Sequence, residues 1–168
     1  MSTQNKCVAL CGVAGMVAGQ VAYGVVIDVP ADRPTIQAGI DAAAPGDTVI
    51  VEPGIYLERI DLRGKAIVLQ SRFGATQTVI NGGSAGPVIS MTSGEGPATV
   101  VQGFTIKNGA ATFGAGVFLS GTSPVIADNI FQENVTQFGG FGAAIGGFSA
   151  SPIIENNEVF GNACDQQD

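Results

Sequence analysis

The chain has 168 residues, of which 45% are hydrophobic, only 12% are charged and 25 are glycine, and its formal net charge is −7. This length suits one domain with a buried core, and the even spread of apolar residues along it excludes a disordered chain. The seven basic residues form no dense patch, which excludes nucleic-acid binding through phosphate neutralisation, and the acidic charge repels an acidic polymer unless a cation bridges the two.

The N-terminal residues 1–24 have the features of a signal peptide. Lys6 supplies a positive charge, residues 7–22 form an uncharged apolar stretch, and a small residue, Gly24, stands directly before the predicted cleavage point at Val25. A buried N-terminal helix is the alternative interpretation. The stretch is short and glycine-rich for a membrane span, so we predict no such span and a secreted or periplasmic mature protein.

Cleavage there leaves Cys164 as the one cysteine of the mature chain. A single cysteine cannot form an internal disulfide. A lipoprotein anchor at Cys7 or Cys11 is disfavoured, because each lies too near the start for an apolar stretch to precede it.

The mature chain begins with a predicted strand at residues 25–29 and one amphipathic helix. Asp32-Arg33-Pro34 is expected to open the helix, since proline suits the first helical position and aspartate caps free backbone amides. Ile36 and Ile40 form its apolar side, and Pro45-Gly46-Asp47 ends it. The predicted helix has about three turns.

From Thr48 onward, short apolar runs rich in β-branched residues replace the helical pattern. Turn residues such as Pro53-Gly54 and Asn108-Gly109 separate them. The runs are 48–51, 66–69, 78–80, 88–91, 99–106, 116–119, 125–126, 129–131, 143–145, 153–154 and 158–160. Each has the length of a strand.

An internal repeat predicts how these strands are arranged. FGAGV at 113–117 recurs as FGAAI at 141–145, SPVIADN at 123–129 recurs as SPIIENN at 151–157, and Asn134 recurs as Asn162, always 28 residues later. Three short strands in such a period make one coil of a parallel β-helix. We predict an all-β, right-handed, single-stranded parallel β-helix with three strands per coil and about four to five coils. Residues 25–47 form its cap and residues 48–162 its coils.

The same offset predicts which side chains stack along the axis. The expected interior stacks are Val117 on Ile145, Ile126 on Ile154 and Phe131 on Val159. The expected structural ladders, in which turn amides bond one another and tolerate left-handed backbone, are Asn129 on Asn157 and Asn134 on Asn162. Simple turn preference is the alternative explanation of these asparagines.

Residues 35–56, TIQAGIDAAAPGDTVIVEPGIY, resemble the opening of the pectate-lyase-like right-handed β-helix superfamily. Its members include polysaccharide lyases, pectin methylesterases and repeat proteins related to the periplasmic copper-processing factor of nitrous oxide reductase. The resemblance extends over about residues 25–162. It implies that the helix lies over the first coil, with Ile36 and Ile40 covering the open apolar end, and it is specific for the fold but not for an activity.

The catalytic residue sets of that superfamily do not carry over to this chain. The paired aspartates of pectin methylesterases stand in contexts that differ from Ile-Asp61-Leu and Ala-Asp128-Asn. The polygalacturonase-like set needs a histidine and an adjacent aspartate pair, and the chain has neither. Pectate lyases use an arginine base, whereas the last arginine here, Arg72, precedes the repeats. We therefore expect no catalytic site.

Four acidic residues are expected to lie on neighbouring coils: Asp128, Glu133, Glu155 and Glu158. Solvated surface carboxylates are the ordinary explanation, and a catalytic acid–base pair is an alternative. Asp128 and Glu155 with turn carbonyls are the candidate Ca²⁺ ligands, because that ion takes about six to eight oxygen ligands. Otherwise we expect no cofactor.

Phe138 and Phe148 are the candidate ligand-binding residues. One repeat earlier their places are taken by Ala110 and Ser120, so neither has a stacking partner there, and exposed rings suit sugar stacking. Packing within the loops is the alternative. Phe113 is expected to stack on Phe141.

These observations favour a secreted, non-catalytic β-helix module that binds polysaccharide or another surface. The alternatives are the N-terminal part of a polysaccharide lyase or hydrolase whose active coils lie beyond Asp168, and a structural scaffold. The predicted last coil is incomplete, and residues 161–168 supply no cover for it. We therefore expect either that the solenoid continues beyond Asp168 or that this coil is buried by self-association, where Cys164 can form an intermolecular disulfide in an oxidising compartment.

Overall fold

The computed structural model describes residues 24–164, which form a mostly β, parallel β-solenoid of about five turns with one short helix near its N-terminal end. The predicted parallel β-helix is therefore confirmed. The predicted leader, with Lys6, Cys7 and Cys11, lies outside the described residues except for Gly24, and so do residues 165–168.

The elements follow one another coil by coil. Strand β1 (Val26–Val29) and helix α1 (Ile36–Ala42) precede the first coil, which contains β2 (Thr48–Val51), β3 (Gly54–Tyr56) and β4 (Ile60–Asp61). The second coil contains β5 (Val68–Ser71), β6 (Thr78–Asn81) and β7 (Ile89–Met91). The third contains β8 (Val100–Gln102), β9 (Thr105–Lys107), β10 (Ala110–Phe113) and β11 (Val117–Ser120). The fourth contains β12 (Val125–Ala127), β13 (Ile130–Gln132), β14 (Val135–Phe141) and β15 (Ile145–Phe148), and the last described coil contains β16 (Ile153–Glu155), β17 (Glu158–Phe160) and β18 (Ala163–Cys164).

Parallel pairing between coils builds four sheets. Sheet A has the order β1-β2-β5-β8-β12-β16, sheet B β3-β6-β9-β13-β17 and sheet C β4-β7-β11-β15. Sheet D, in the order β10-β14-β18, adds a fourth strand to the third and fourth coils, so three strands per coil holds only for the first two. The second coil has no strand between β6 and β7, so sheet D begins at the third coil.

The predicted stacks are confirmed as strand pairs. Val117 pairs with Ile145 between the third and fourth coils, and Ile126 with Ile154 and Phe131 with Val159 between the fourth and the last described coil. Between the third and fourth coils the offset is shorter, since Ala111 pairs with Thr136, and it becomes 28 only at the pair of Phe113 with Phe141. The difference is an insertion in β14, which lengthens the fourth coil by a short extra segment opposite Thr112.

Helix α1 starts later than the sequence predicts. Thr35 is the N-cap, and its Oγ1 accepts a hydrogen bond from the Ala38 amide at 3.1 Å. The predicted cap at Asp32 is wrong, because Asp32 still belongs to a turn in which its amide donates to the Asp28 carbonyl at 2.7 Å and its carboxylate accepts from the Asp28 amide. The helix has seven residues, about two turns instead of three.

The helix covers the N-terminal end of the apolar interior. Ile36 and Ile40 are fully buried, and α1 packs against β1, β2 and β4. A side chain at Gly39 would approach Val29 and Val49 within 2.9 Å, so glycine permits this close packing. Within residues 24–164, no helix is long and apolar enough to cross a membrane.

Candidate functional site

The four predicted ladder asparagines lie in contact between the last two coils. The Asn129 side-chain amide donates to Asn157 Oδ1 at 3.2 Å and to the Val101 carbonyl at 3.0 Å. The same atom of Asn134 donates to Asn162 Oδ1 at 2.9 Å and to the Ile106 carbonyl at 3.0 Å. Each of these two amides thereby joins three successive coils.

The hydrogen-bonding groups of the ladder side chains already have partners within the protein. Asn129 and Asn134 are buried, and their Oδ1 atoms accept from the backbone amides of Phe104 at 3.0 Å and Gly109 at 2.9 Å. The ladder side chains therefore hold the coils together and offer no free group to a ligand.

The left-handed backbone at these turns falls on the residue before each asparagine, contrary to the prediction that the asparagines adopt it. The positive φ angles are 55° at Asp128, 55° at Asn156, 56° at Glu133 and 64° at Gly161. The asparagine itself must point its amide inward, so the preceding residue makes the turn.

The candidate calcium ligands Asp128 and Glu155 are both exposed. The Asp128 amide donates to the Glu155 carbonyl at 3.2 Å, which brings the two residues together on adjacent coils. Among residues 24–164, no three or more His, Cys, Asp or Glu side chains are grouped as a metal site. Two exposed carboxylates by themselves supply too few ligands for Ca²⁺. Ca²⁺ binding by Asp128 and Glu155 stays a prediction.

Four phenylalanines form a partly exposed cluster that we call the aromatic corner: Phe113, Phe118, Phe141 and Phe148. The centroid of the Phe148 ring lies 4.8 Å from that of Phe113, 5.6 Å from Phe141 and 6.5 Å from Phe118, and the rings meet edge to face. The Phe113 and Phe141 centroids are 4.7 Å apart. Phe141 and Phe148 are 49% and 45% exposed, so the cluster is open to solvent.

Two sheets meet at the aromatic corner. Phe113 and Phe141 end β10 and β14 in sheet D, and Phe118 lies on the outer face of sheet C because its neighbours Val117 and Leu119 are buried. Between the sheets the chain turns through Gly114 and Gly142, whose φ angles are 58° and 73°. This tight turn places Phe118 and Phe148 of sheet C beside Phe113 and Phe141 of sheet D.

The two predicted ligand residues differ in their surroundings. Phe148 pairs with Ser120 in the strand register, as the repeat implies, but its ring packs into the aromatic corner. Phe138 lies in the inserted segment of β14, is 74% exposed and has a φ of 57°. Sequence reasoning missed Phe118, although its place between two apolar residues of a strand indicates an outward ring.

A small open cleft of about 240 Å³ lies between the first and second coils, lined by Leu57, Glu58, Arg59, Asn81, Gly82, Gly83 and Ala85. Its polar groups are already engaged. Glu58 accepts hydrogen bonds from the Ile36 and Gln37 amides at 3.0 Å each, and Arg59 Nη1 donates to the Ala85 carbonyl at 2.8 Å. Glu58 therefore anchors the helix, and Arg59 links the first coil to the second.

Two side chains with shifted pKa values, Asp47 and Tyr56, lie near the N-terminal end of the solenoid. Hydrogen bonds from the backbone amides of Ala44 and Val25 lower the pKa of Asp47 below its ordinary value of 3.8. Burial raises the pKa of Tyr56, and the charges of Glu52 and Glu58 raise it further. Neither residue lies near the aromatic corner.

The fold therefore defines the class of this protein as a parallel β-solenoid of about five turns. No family model matches the chain, and no curated protein and no solved structure matches it.

Proposed function

We propose that this chain is an exported, non-catalytic member of the pectate-lyase-like β-helix superfamily that binds polysaccharide or another surface. The opening segment and the helix over the first coil support the superfamily assignment. The predicted leader supports export. The absence of the superfamily's catalytic residue sets from the sequence supports a role in binding.

The aromatic corner is the observation that carries the binding proposal. Phe141 and Phe148 are about half exposed, and nearby Phe138 is 74% exposed. Aromatic rings provide flat apolar faces against which the C–H faces of sugar rings pack. A solenoid presents such rings on a rigid surface, which lowers the entropy lost on binding.

Affinity electrophoresis in gels containing dissolved polysaccharides tests this function. We expect a polysaccharide to retard the wild-type chain, and Phe141→Ala to weaken that retardation at least several-fold. Phe73→Ala is the matched control, because Phe73 is 64% exposed but lies in the second coil. Equal retardation of both variants would remove the aromatic corner from the proposal, and release of unsaturated products or reducing ends would indicate an enzyme instead.

Self-association is a second candidate function, and the last described coil favours it. Ile154 and Val159 continue interior stacks but are 51% and 58% exposed. A second copy of the chain would cover them by the same apolar contacts. Light scattering should then show that the wild type is a dimer and that the Ile154→Lys variant is a monomer. Reductant should dissociate the wild-type dimer only if a disulfide between the exposed Cys164 side chains holds it together. A monomer at high concentration would contradict this candidate.

A further inference from the structure

We propose that the aromatic corner and Phe138 together bind an uncharged glycan, an inference that rests on the proposed function. The two segments that form this region, residues 109–127 and 134–154, contain no Asp, Glu, Lys or Arg. Elsewhere the chain is acidic, with a net charge of −7. The absence of charge is therefore a local property of these two segments.

An acidic glycan finds no counter-charge in this region. Lys107 is the last basic residue of the chain, and its Nζ lies 2.8 Å from Glu133 Oε2 in an ion pair. Recognition of carboxylated sugars needs a cation or an arginine, whereas uncharged sugars need flat rings and neutral hydrogen-bonding groups. The region offers such groups in Thr112, Ser120 and Gln137.

Phe138 adds a second, independent observation. It is the one aromatic residue within residues 24–164 that has a positive φ, a conformation that bulky side chains rarely adopt. The next residue, Gly139, also has a positive φ, which glycine adopts without strain. Gly140 then passes so close to Thr112 that a side chain at residue 140 would overlap the Thr112 carbonyl. The strained backbone holds the ring out in solvent and not in the core, which is the arrangement expected of a ligand contact.

Phe138→Gly separates binding from folding. Glycine adopts a positive φ without strain, so we expect the melting temperature to stay the same or rise while the ring is lost. Ser149→Gly is the matched control, because Ser149 also has a positive φ, 52°, near the corner but carries no ring. A fall in melting temperature on Phe138→Gly would show that the ring is retained for packing and would overturn its role as a ligand contact.

The binding arm uses affinity electrophoresis with hydroxyethyl cellulose and galactomannan as neutral probes and polygalacturonate and alginate as acidic ones. We expect retardation by a neutral probe, a loss of at least fivefold in Phe138→Gly and no change in Ser149→Gly. Retardation by acidic probes alone would overturn this inference and leave the proposed function standing. Failure of every probe to retard the chain would overturn both this inference and polysaccharide binding as the proposed function.

A different observation carries a second inference at the predicted cleavage point. We infer that hydrolysis of the Gly24–Val25 peptide bond creates an α-ammonium group that pairs with Asp47. The Val25 backbone nitrogen already lies 2.7 Å from Asp47 Oδ1, and the other carboxylate oxygen accepts from the Ala44 amide at 2.7 Å. Water supplies the new carboxylate oxygen of Gly24 and the protons of the new amine.

The surroundings of Asp47 suit this pair. The carboxylate is nearly buried, and the Val25 carbonyl accepts a hydrogen bond from the Thr48 amide at 2.9 Å, which fixes Val25 beside it. Lys65 is the other charged group near Asp47, but its Nζ already donates to the carbonyls of Ile40, Asp41 and Ala43. An ammonium at Val25 therefore changes a hydrogen bond between a neutral amide and a carboxylate into one between two ionised groups.

The test begins with N-terminal sequencing of the exported protein, which should start at Val25. Chemical labelling across pH should then show the pKa of that amine raised above the ordinary range of about 7.7 to 8.0. Asp47→Asn should lower the melting temperature of the processed protein more than that of the unprocessed chain. An ordinary amine pKa or an equal loss in both forms would overturn the ion pair, and a different N-terminus would overturn the cleavage point.

Discussion

The apolar interior of the solenoid is covered at its N-terminal end but open to solvent at the last described coil. At the N-terminal end, Ile36 and Ile40 of the helix are fully buried over the first strands. In the last described coil, Ile154 and Val159 occupy the next places of the interior stacks and remain 51% and 58% exposed. A repeating sequence extends the apolar core from coil to coil, whereas covering its end requires a separate, non-repeating segment.

Polar side chains of the coils fasten the covering helix at both of its ends. Glu58 accepts hydrogen bonds from the Ile36 and Gln37 amides, and Lys65 donates to three carbonyls at the C-terminal end, those of Ile40, Asp41 and Ala43. These are the groups that a helix leaves without internal partners. A short helix is therefore stable here because the first two coils complete its hydrogen bonds.

Aspartate at two equivalent positions gives the largest expected contrast. Ile126→Asp places a charge in the fully buried stack and should lower the free energy of unfolding by about 4 kcal/mol. Ile154→Asp, one coil later at a half-exposed site, should cost less than half as much, and the exposed control Glu155→Ala about 0.5 kcal/mol or less. Urea denaturation measures all three, and equal midpoints for Ile126→Asp and Glu155→Ala would contradict the register.

Truncation of apolar side chains compares the two ends directly. Ile40→Ala leaves a cavity beneath the helix and should cost about 3 kcal/mol, because Ile40 is fully buried. Val159→Ala should cost about 1 kcal/mol or less, since that side chain is 58% exposed. Thermal melting distinguishes the two variants. Similar losses would mean that Val159 is covered in solution, as the self-association candidate requires.

Glu58→Gln tests the fastening of the helix. The change keeps the size of the side chain but replaces one of two oxygens that accept from backbone amides, so we expect a loss of about 1 to 2 kcal/mol. Glu133→Gln is the control, because its exposed ion pair with Lys107 is worth about 1 kcal/mol at most. Amide hydrogen exchange in α1 should rise in the first variant alone; unchanged exchange there would show that Glu58 does not hold the helix.

Acid should act on the N-terminal end through Asp47. Hydrogen bonds from Ala44 and Val25 lower its pKa in the folded chain below 3.8, so its stabilising effect is present above that pH and is lost as the pH falls through the folded value. Denaturation midpoints of the wild type and Asp47→Asn should therefore differ near neutral pH and converge below about pH 4. A difference that stays constant down to about pH 2 would contradict this account.

Much of the coil register could be predicted because it depends on a repeated spacing. The 28-residue offset predicted the pairs of Val117 with Ile145 and Ile126 with Ile154, which the strands adopt. The asparagines at the same offset exchange hydrogen bonds. A helix start could not be predicted equally well, since Asp32 and Thr35 are both suitable caps and the turn at Asp28 decides between them.

The repeated part of this protein could be predicted from its amino-acid sequence: parallel coils, their register from Val117 onward and one short helix before them. These follow from periodic apolar residues, because stacked parallel coils bring the equivalent apolar residues of neighbouring coils together in one interior. The folded chain alone shows that Phe118 and Phe148 contact the Phe113–Phe141 pair, whereas Phe138 is exposed apart from them. Phe118 and Phe148 are not equivalent to each other in the repeat, or to the Phe113–Phe141 pair. The rings meet because the chain turns tightly through Gly114 and Gly142 between the two sheets.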